Sequence, residues 1–286
     1  MSNSAKFLTI LRRLHINKPA KITVSRLIDL AELGGEYRTP RSSHPPHRID
    51  ILRGRYEPAE TKFLTAAATH ARFIFDIGAN LGYFARRMGK ASLPHGGRVV
   101  AFEPNPAVFP FLQRNTRELP NVLCLPLGLS GQPGPSTLHI LNDDAALGSL
   151  SPEVAKVHST NQSNIAKRSV QLAHGSMLMD ALGFPAPELI KIDVEGWEMS
   201  VLRSLNLSDP RWKNTKILFE LNPTALQLAG SSLDDLIDLW PAAGFRLNSL
   251  AMDGSLTPVT KAEVLATLSQ PELVYTSLVA CASDAR

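Results

Sequence analysis

Residues 73–89, FIFDIGANLGYFARRMG, run from apolar sequence into a turn carrying Asp76, Gly78, Asn80 and Gly82, then into amphipathic sequence. The pattern predicts a buried strand, a tight turn and a helix opening near Tyr83. Gly78 and Gly82 fall where the strand passes into the helix. There a bound cofactor must come close to the backbone, and glycine permits both the unusual φ values and the approach.

Outward from this stretch, apolar strands alternate with amphipathic helices. RVVAFEP (98–104) reads as a second strand, with Asn105-Pro106 opening a helix to about Leu119. VLCLPLGLS (122–130) is a third strand weakened by Pro126, and TLHIL (137–141) a further short one. Residues 142–169 are polar with little period and read as a loop or mobile lid. MLMDALG is a short helix, ELIKIDVEG (188–196) a strand, EMSVLRSL a helix and KILFELNP (216–223) a strand, followed by a helix from Ser231 or Ser232. FRLNSL and LVYTSLVA are strand candidates separated by Asp253-Gly254. Such alternation builds an α/β fold, a mostly parallel sheet with helices on both faces, and its ligands bind beyond the carboxyl ends of the strands.

Residues 1–55 read as an N-terminal extension, with a helix over Val24–Leu33 closing on Gly34-Gly35 and a loop or linker over EYRTPRSSHPPHR. EPAETKFLTAAATH, with Pro58 in its first turn, opens the main domain, 56–286.

Composition narrows the class. The 286 residues are 44% apolar and 20% charged, with a formal net charge of +4. Much of the basic excess (Lys6, Arg12, Arg13, Lys18, Lys21, Arg26) reads as a solvated face, so no nucleic-acid partner is expected. Cys124 and Cys281 lie far apart outside any Cys/His cluster, which argues against disulfides and structural zinc and for a reducing, cytoplasmic setting. FLTIL (7–11) is too short for a signal core, and no apolar run is long enough to span a bilayer.

The strand ends speak to the ligand. DIGANLG lacks the G-x-G-x-x-G phosphate fingerprint, and a carboxylate at Asp76 disfavours a pyrophosphate, so the pattern argues against a dinucleotide and for a ligand carrying positive charge. Glu103, at the end of the second strand, stands where a carboxylate bonds ribose hydroxyls. A ribose and an amino group without phosphate describe S-adenosylmethionine. The plainer alternative makes Asp76 a helix cap and Glu103 a solvated strand end.

DIGANLGYF, VVAFEPNPAVFPFLQRN and LIKIDVEGWEMSVLRSL, with RYEPAETKFL and FELNP around them, resemble the signature segments of the FkbM family of S-adenosylmethionine-dependent methyltransferases, over roughly 55–225. The resemblance implies a Rossmann-like class I methyltransferase fold, a mostly parallel seven-stranded sheet with one antiparallel strand near an edge. It implies methyl transfer to an oxygen, often a hydroxyl of a sugar, glycan or natural product. It also implies cofactor contacts from Asp76, Gly78, Asn80, Gly82 and Glu103, with Asn121 and the 128–130 segment ending in Ser130 on the adenine side. The family usually has a Thr-Leu-Asp-like segment before the K-x-D-x-E-G strand, and here MLMD keeps Asp180 but not the threonine.

The chemistry is expected at Asp193, Glu195 and Glu220. KIDVEG sets Asp193 and Glu195 on one side of an extended strand end, and FELNP sets Glu220 and Asn222 likewise on the next. Such groups serve as general base, hydroxyl clamp or divalent-metal ligands, and Asp193 acting without a metal is the preferred reading. Glu195 has a plainer alternative as a helix cap. His139 and His174 are weaker base candidates, and Trp197 reads as core or an adenine-side wall. The rivals are an N-methyltransferase acting on nucleic acid, whose Asn/Asp-Pro-Pro-aromatic turn is replaced here by D-V-E-G-W, and a non-catalytic binding module. Neither the oligomeric state nor the acceptor is legible.

Overall fold

The structure is a computed structural model. It describes Ile28 and residues 37–40, 45–142, 144–159, 164–269 and 275–282, so the expected helix over 24–33 lies outside the described residues apart from Ile28. In chain order the elements are α1 (Pro45–Leu52), α2 (Pro58–Ala68), β1 (Phe73–Ile77), α3 (Tyr83–Ser92), β2 (Arg98–Phe102), α4 (Phe109–Thr116), β3 (Val122–Leu125), β4 (Gly128–Leu129), β5 (Gly134–Leu141) and β6 (Asp144–Ser149). Then come α5 (Pro152–His158), β7 (Ile165–Ala173), α6 (Gly175–Leu182), β8 (Leu189–Ile192), α7 (Glu198–Leu205), β9 (Lys216–Leu221), α8 (Pro223–Leu228), α9 (Leu233–Ala242), β10 (Phe245–Leu250), β11 (Leu256–Pro258), α10 (Lys261–Leu268) and β12 (Thr276–Ala282).

The main sheet runs β3-β2-β1-β8-β9-β12-β10-β11. Strands β3, β2, β1, β8 and β9 pair in parallel, and β12 is antiparallel to both β9 and β10. The seven strands in this order make the Rossmann-like methyltransferase sheet, and the short β11 adds an eighth, antiparallel to β10. The parallel strands are nearly continuous apolar runs because helices cover both faces. Phe75, Ile77, Phe102, Ile190, Ile192, Ile217 and Phe219 fill one core. Ile74, Val99, Leu189 and Leu218 face the other, with Phe63, Leu64, Phe84 and Met88 from α2 and α3. The chain leaves β1 for β2 on one side and returns through β8 on the other, so the strand order reverses at β1 and a cleft opens beyond its carboxyl end.

Four expectations are corrected. The stretch 142–169 is not a bare loop: β6, α5 and part of β7 lie in it, and a second sheet of order β4-β7-β5-β6 stands on the main one. Its small core is made by Leu138 and Ile140 of β5 with Val170 and Leu172 of β7, while β6 adds only Ala145 at its edge, so β6 alone shows no readable period. The expected third strand breaks at Pro126, with β3 in the main sheet and β4 in the second. Within EYRTPRSSHPPHR, Pro45 and Pro46 open α1, because proline is tolerated in a first helical turn. Tyr37 and Ile51 of this region share a buried cluster with Phe63 and Phe84. Asn105 caps a turn by accepting from the Ala107 amide at 2.9 Å, and the helix itself begins at Phe109.

Candidate active site

The turn after β1 has an alternating backbone, with φ of +78° at Gly78, +49° at Asn80 and +81° at Gly82. The Gly78 and Ala79 amides both donate to the Phe102 carbonyl at 3.0 Å, tying the turn to the end of β2. At Gly78 a Cβ would stand 1.9 Å from the Asp193 carbonyl oxygen, and at Gly82 2.7 Å from Leu112 Cδ1. Gly78 is therefore required by packing as well as by conformation, and Gly82 by its conformation.

Glu103 is buried beneath this turn. Its Oε2 accepts from the Asn80 amide at 2.8 Å and its Oε1 from the Asn105 amide at 2.7 Å. Burial pushes its carboxyl up to about 7, against these two bonds. Each oxygen keeps a lone pair for a further donor. Asn80 and Asn105 donate through Nδ2 to the carbonyls of Ala146 at 2.9 Å and Ala145 at 3.0 Å, so β6 is pinned over the turn.

A cavity of about 800 Å³ opens here. Gly78, Asn80 and Glu103 line one part; Asp193, Glu195, Glu220 and Asn222 line another, at the ends of β8 and β9. Lys191 is buried under them. Its Nζ donates to Asp193 Oδ2 at 2.9 Å and to the Gly78 carbonyl at 3.3 Å, and it lies 5.1 Å from the Phe84 ring centroid. Burial opposes its charge, but Asp193, Asp76 and Glu57 outweigh that and hold its pKa above the usual lysine range. Burial and then the charge of Asp193 push Glu195 up to about 8 and Glu220 up to about 10. The capping alternative for Glu195 is overturned by Glu198, whose Oε1 accepts from the Val194 and Gly196 amides at 3.3 Å. Glu195 is left facing the cavity, with His158 Nε2 3.9 Å from its Oε2. Asn222 Oδ1 is engaged, accepting from the Ala225 amide at the start of α8. Among the described residues no group of His, Cys, Asp and Glu is placed to hold a metal ion.

Four expected cofactor residues do not line the cavity. Asn121 lies at the amino end of β3, away from the strand ends that bind ligand, and its Nδ2 donates to the carbonyls of Gly89 and Gly97 and to Ser92 Oγ. Ser130 sits behind the wall, where its Oγ contacts Ser200 Oγ at 3.0 Å and receives the Trp197 Nε1 proton at 3.4 Å. Trp197 lines the cavity, so Ser130 orients that wall from behind. Gly82 shapes the turn against Leu112 without reaching the cavity. Asp76 is wholly buried below the turn, where neither oxygen has a partner at full hydrogen-bond geometry, and burial pushes it up to about 6. His139 and His174 do not line the cavity either; Ser176 Oγ lies 3.2 Å from His174 Nδ1.

The sequence reading missed Lys191, Tyr56, Glu57 and Tyr275, which also line the cavity. Lys191 was within reach, since it stands two positions from Asp193 on one side of a strand. Tyr56 and Glu57 immediately precede the Pro58 helix, but nothing in local sequence says that this helix starts beside β8.

A mixed sheet of this strand order, with an acidic residue ending β2 and a glycine turn after β1, defines a Rossmann-like methyltransferase. A model of the methyltransferase FkbM domain matches residues 76–247, and the chain belongs to that family. Hexuronic acid methyltransferase AglP of Haloferax volcanii is 29% identical over 160 residues, 55% of this chain and 59% of that protein. Methyltransferase 1 of Beauveria bassiana is 32% identical over 164 residues, 49% of this chain and 60% of that protein. The chain thus matches about three-fifths of the length of these curated relatives. A putative O-methyltransferase from Klebsiella pneumoniae aligns over 98% of this chain and 97% of its own, with 13% identity and a TM-score of 0.45, too loose to carry a functional argument.

The cofactor is S-adenosylmethionine, and the site fits it. Gly78 lines the cavity, Glu103 has free lone pairs for ribose hydroxyls, and Asn80 Oδ1 is a buried acceptor without a protein partner. No helix among the described residues is long and apolar enough to cross a membrane.

Proposed function

We propose that the protein methylates a hydroxyl of a sugar, glycan or natural product, with Asp193 as the general base. The observation that carries the reading is the shared cavity: Glu103 and Asn80 line it together with Asp193, Glu195 and Glu220. Bound S-adenosylmethionine supplies an electrophilic methyl carbon, which the acceptor oxygen takes in a displacement that leaves the electron pair on sulfur. Glu103 would hold the ribose and Asn80 the amino-acid end of that molecule. Asp193, its orientation set by the Lys191 ammonium, receives the hydroxyl proton. Glu195 and Glu220 keep their protons to higher pH than ordinary carboxyls. They can therefore donate to as well as accept from the hydroxyls around the reacting one, which suits a polyol. The hexuronic acid methyltransferase relative supports a sugar acceptor.

The test is methyl transfer from labelled S-adenosylmethionine to a panel of hydroxylated sugars, uronic acids, lipids and polyketides, with nucleic acid included. Label on a hydroxyl compound is expected, with Asp193→Asn turning over about 10²–10⁴ times more slowly while retaining the cofactor. Label appearing on nucleic acid alone would overturn the reading. Loss of turnover in EDTA with recovery in Mg²⁺ would make the carboxylates metal ligands.

A further inference from the structure

Glu57 stands at the N-cap of α2 with φ +42° and ψ +73°, a left-handed conformation that costs a non-glycine residue of order 1 kcal/mol. N-cap residues normally use their side chain to satisfy a helix amide, yet Glu57 makes no such bond. Its carboxylate is turned into the cavity instead, within hydrogen-bonding reach of the Tyr56 phenol. Tyr56 is held by the rings of Tyr83 at 5.4 Å and Phe84 at 6.1 Å, and Thr61 Oγ1 donates to its carbonyl at 2.8 Å. A strained backbone and an unused cap thus deliver a carboxylate to the cavity.

Resting on the methyl-transfer reading, we propose that Glu57 is an acceptor-binding residue, receiving a hydrogen bond from the acceptor beside Asp193, and that its left-handed backbone is retained for that contact. Glu57 interacts electrostatically with Asp193, Lys191 and Glu220, the groups of the β8 and β9 ends, so it faces the reacting side. The hydrogen bonds of Glu103, by contrast, go to the Asn80 and Asn105 amides. Burial and Asp193 push its carboxyl up to about 7, so near neutrality it exchanges readily between accepting and donating forms.

Two variants test this. Glu57→Gly relieves the left-handed strain, and Glu57→Gln keeps the shape while removing the charge. Glu57→Gly is expected to melt no lower than wild type and both variants to bind S-adenosylhomocysteine with wild-type affinity by calorimetry. With the acceptor found in the panel, Glu57→Gln should raise the acceptor KM about ten- to a hundredfold and leave the KM for S-adenosylmethionine unchanged. A clearly lower melting temperature for Glu57→Gly makes the side chain structural and overturns the proposal. So does weakened S-adenosylhomocysteine binding, which would place Glu57 on the cofactor, and so does an unchanged acceptor KM. Failure of every hydroxyl compound in the panel with wild-type enzyme would instead refute the reading beneath it, while melting and calorimetry still judge Glu57.

Discussion

Removing the charge of Asp193 strands a buried ammonium. Lys191 is 3% exposed, and its contacts within hydrogen-bond distance are Asp193 Oδ2 at 2.9 Å and the Gly78 carbonyl at 3.3 Å. Breaking a buried ion pair from one side costs about 3–5 kcal/mol, because the remaining charge is left uncompensated. The charge of Asp76 close by still favours the ammonium, which places Asp193→Asn near the lower end, about 3 kcal/mol. For a chain of this size that is a fall in Tm of roughly 6–12 °C. Lys191→Met alone costs less, because Asp193 is one-quarter exposed and water can solvate it. The double variant should lose less than the sum of the two, a coupling of about 1–3 kcal/mol readable by urea unfolding. Turnover should stay down in the double variant, since stability returns but the carboxylate does not. Additive losses in the cycle would refute the reasoning, for they would mean that Lys191 does not depend on Asp193.

Glu103→Ala should weaken S-adenosylmethionine binding about ten- to a hundredfold by calorimetry, and unchanged affinity in a folded variant would remove the ribose role. Gly78→Ala should abolish cofactor binding and lower Tm, because the Cβ has nowhere to go against the Asp193 carbonyl. The pH dependence of stability follows from Glu220, held at about 10, and Glu195, held at about 8, by burial and by Asp193. Both folded values lie above the unfolded one near 4.3, so their contribution is fully present below that pH and is lost as pH rises through the folded values. Melting temperature should therefore decline from about pH 5 to pH 10, and Glu220→Gln should flatten the decline; an unaltered slope would show that Glu220 is not so perturbed. Amides of β6 should exchange slowly even without ligand, since Asn80 and Asn105 pin its carbonyls, whereas fast exchange there would restore a mobile lid.

Local sequence determined the strand–turn–helix around Asp76, the two glycines and the carboxylates that end β2, β8 and β9. Strand alternation and helix punctuation act over a few residues, and the carboxyl ends of a parallel sheet converge whatever loops follow. It also marked Pro58 as a helix start and Ser231 or Ser232 as the start of another; the structure places the N-cap at Ser232, which accepts from the Asp235 amide. The tertiary structure decided what depends on contacts distant in sequence. Asn121 and Ser130 look alike beside β3, yet one faces the amino end of the sheet and the other backs Trp197. Within the 142–169 stretch, β6 became a strand by pairing with β5, which in turn pairs along its whole length with β7 further along the chain, and no period within the stretch records that. Glu57 lies 136 positions from Asp193 in the chain. Only the packing of α2 beside β8 brings the two carboxylates into one cavity, because burial and charge proximity are properties of the folded surface and not of any local run of residues.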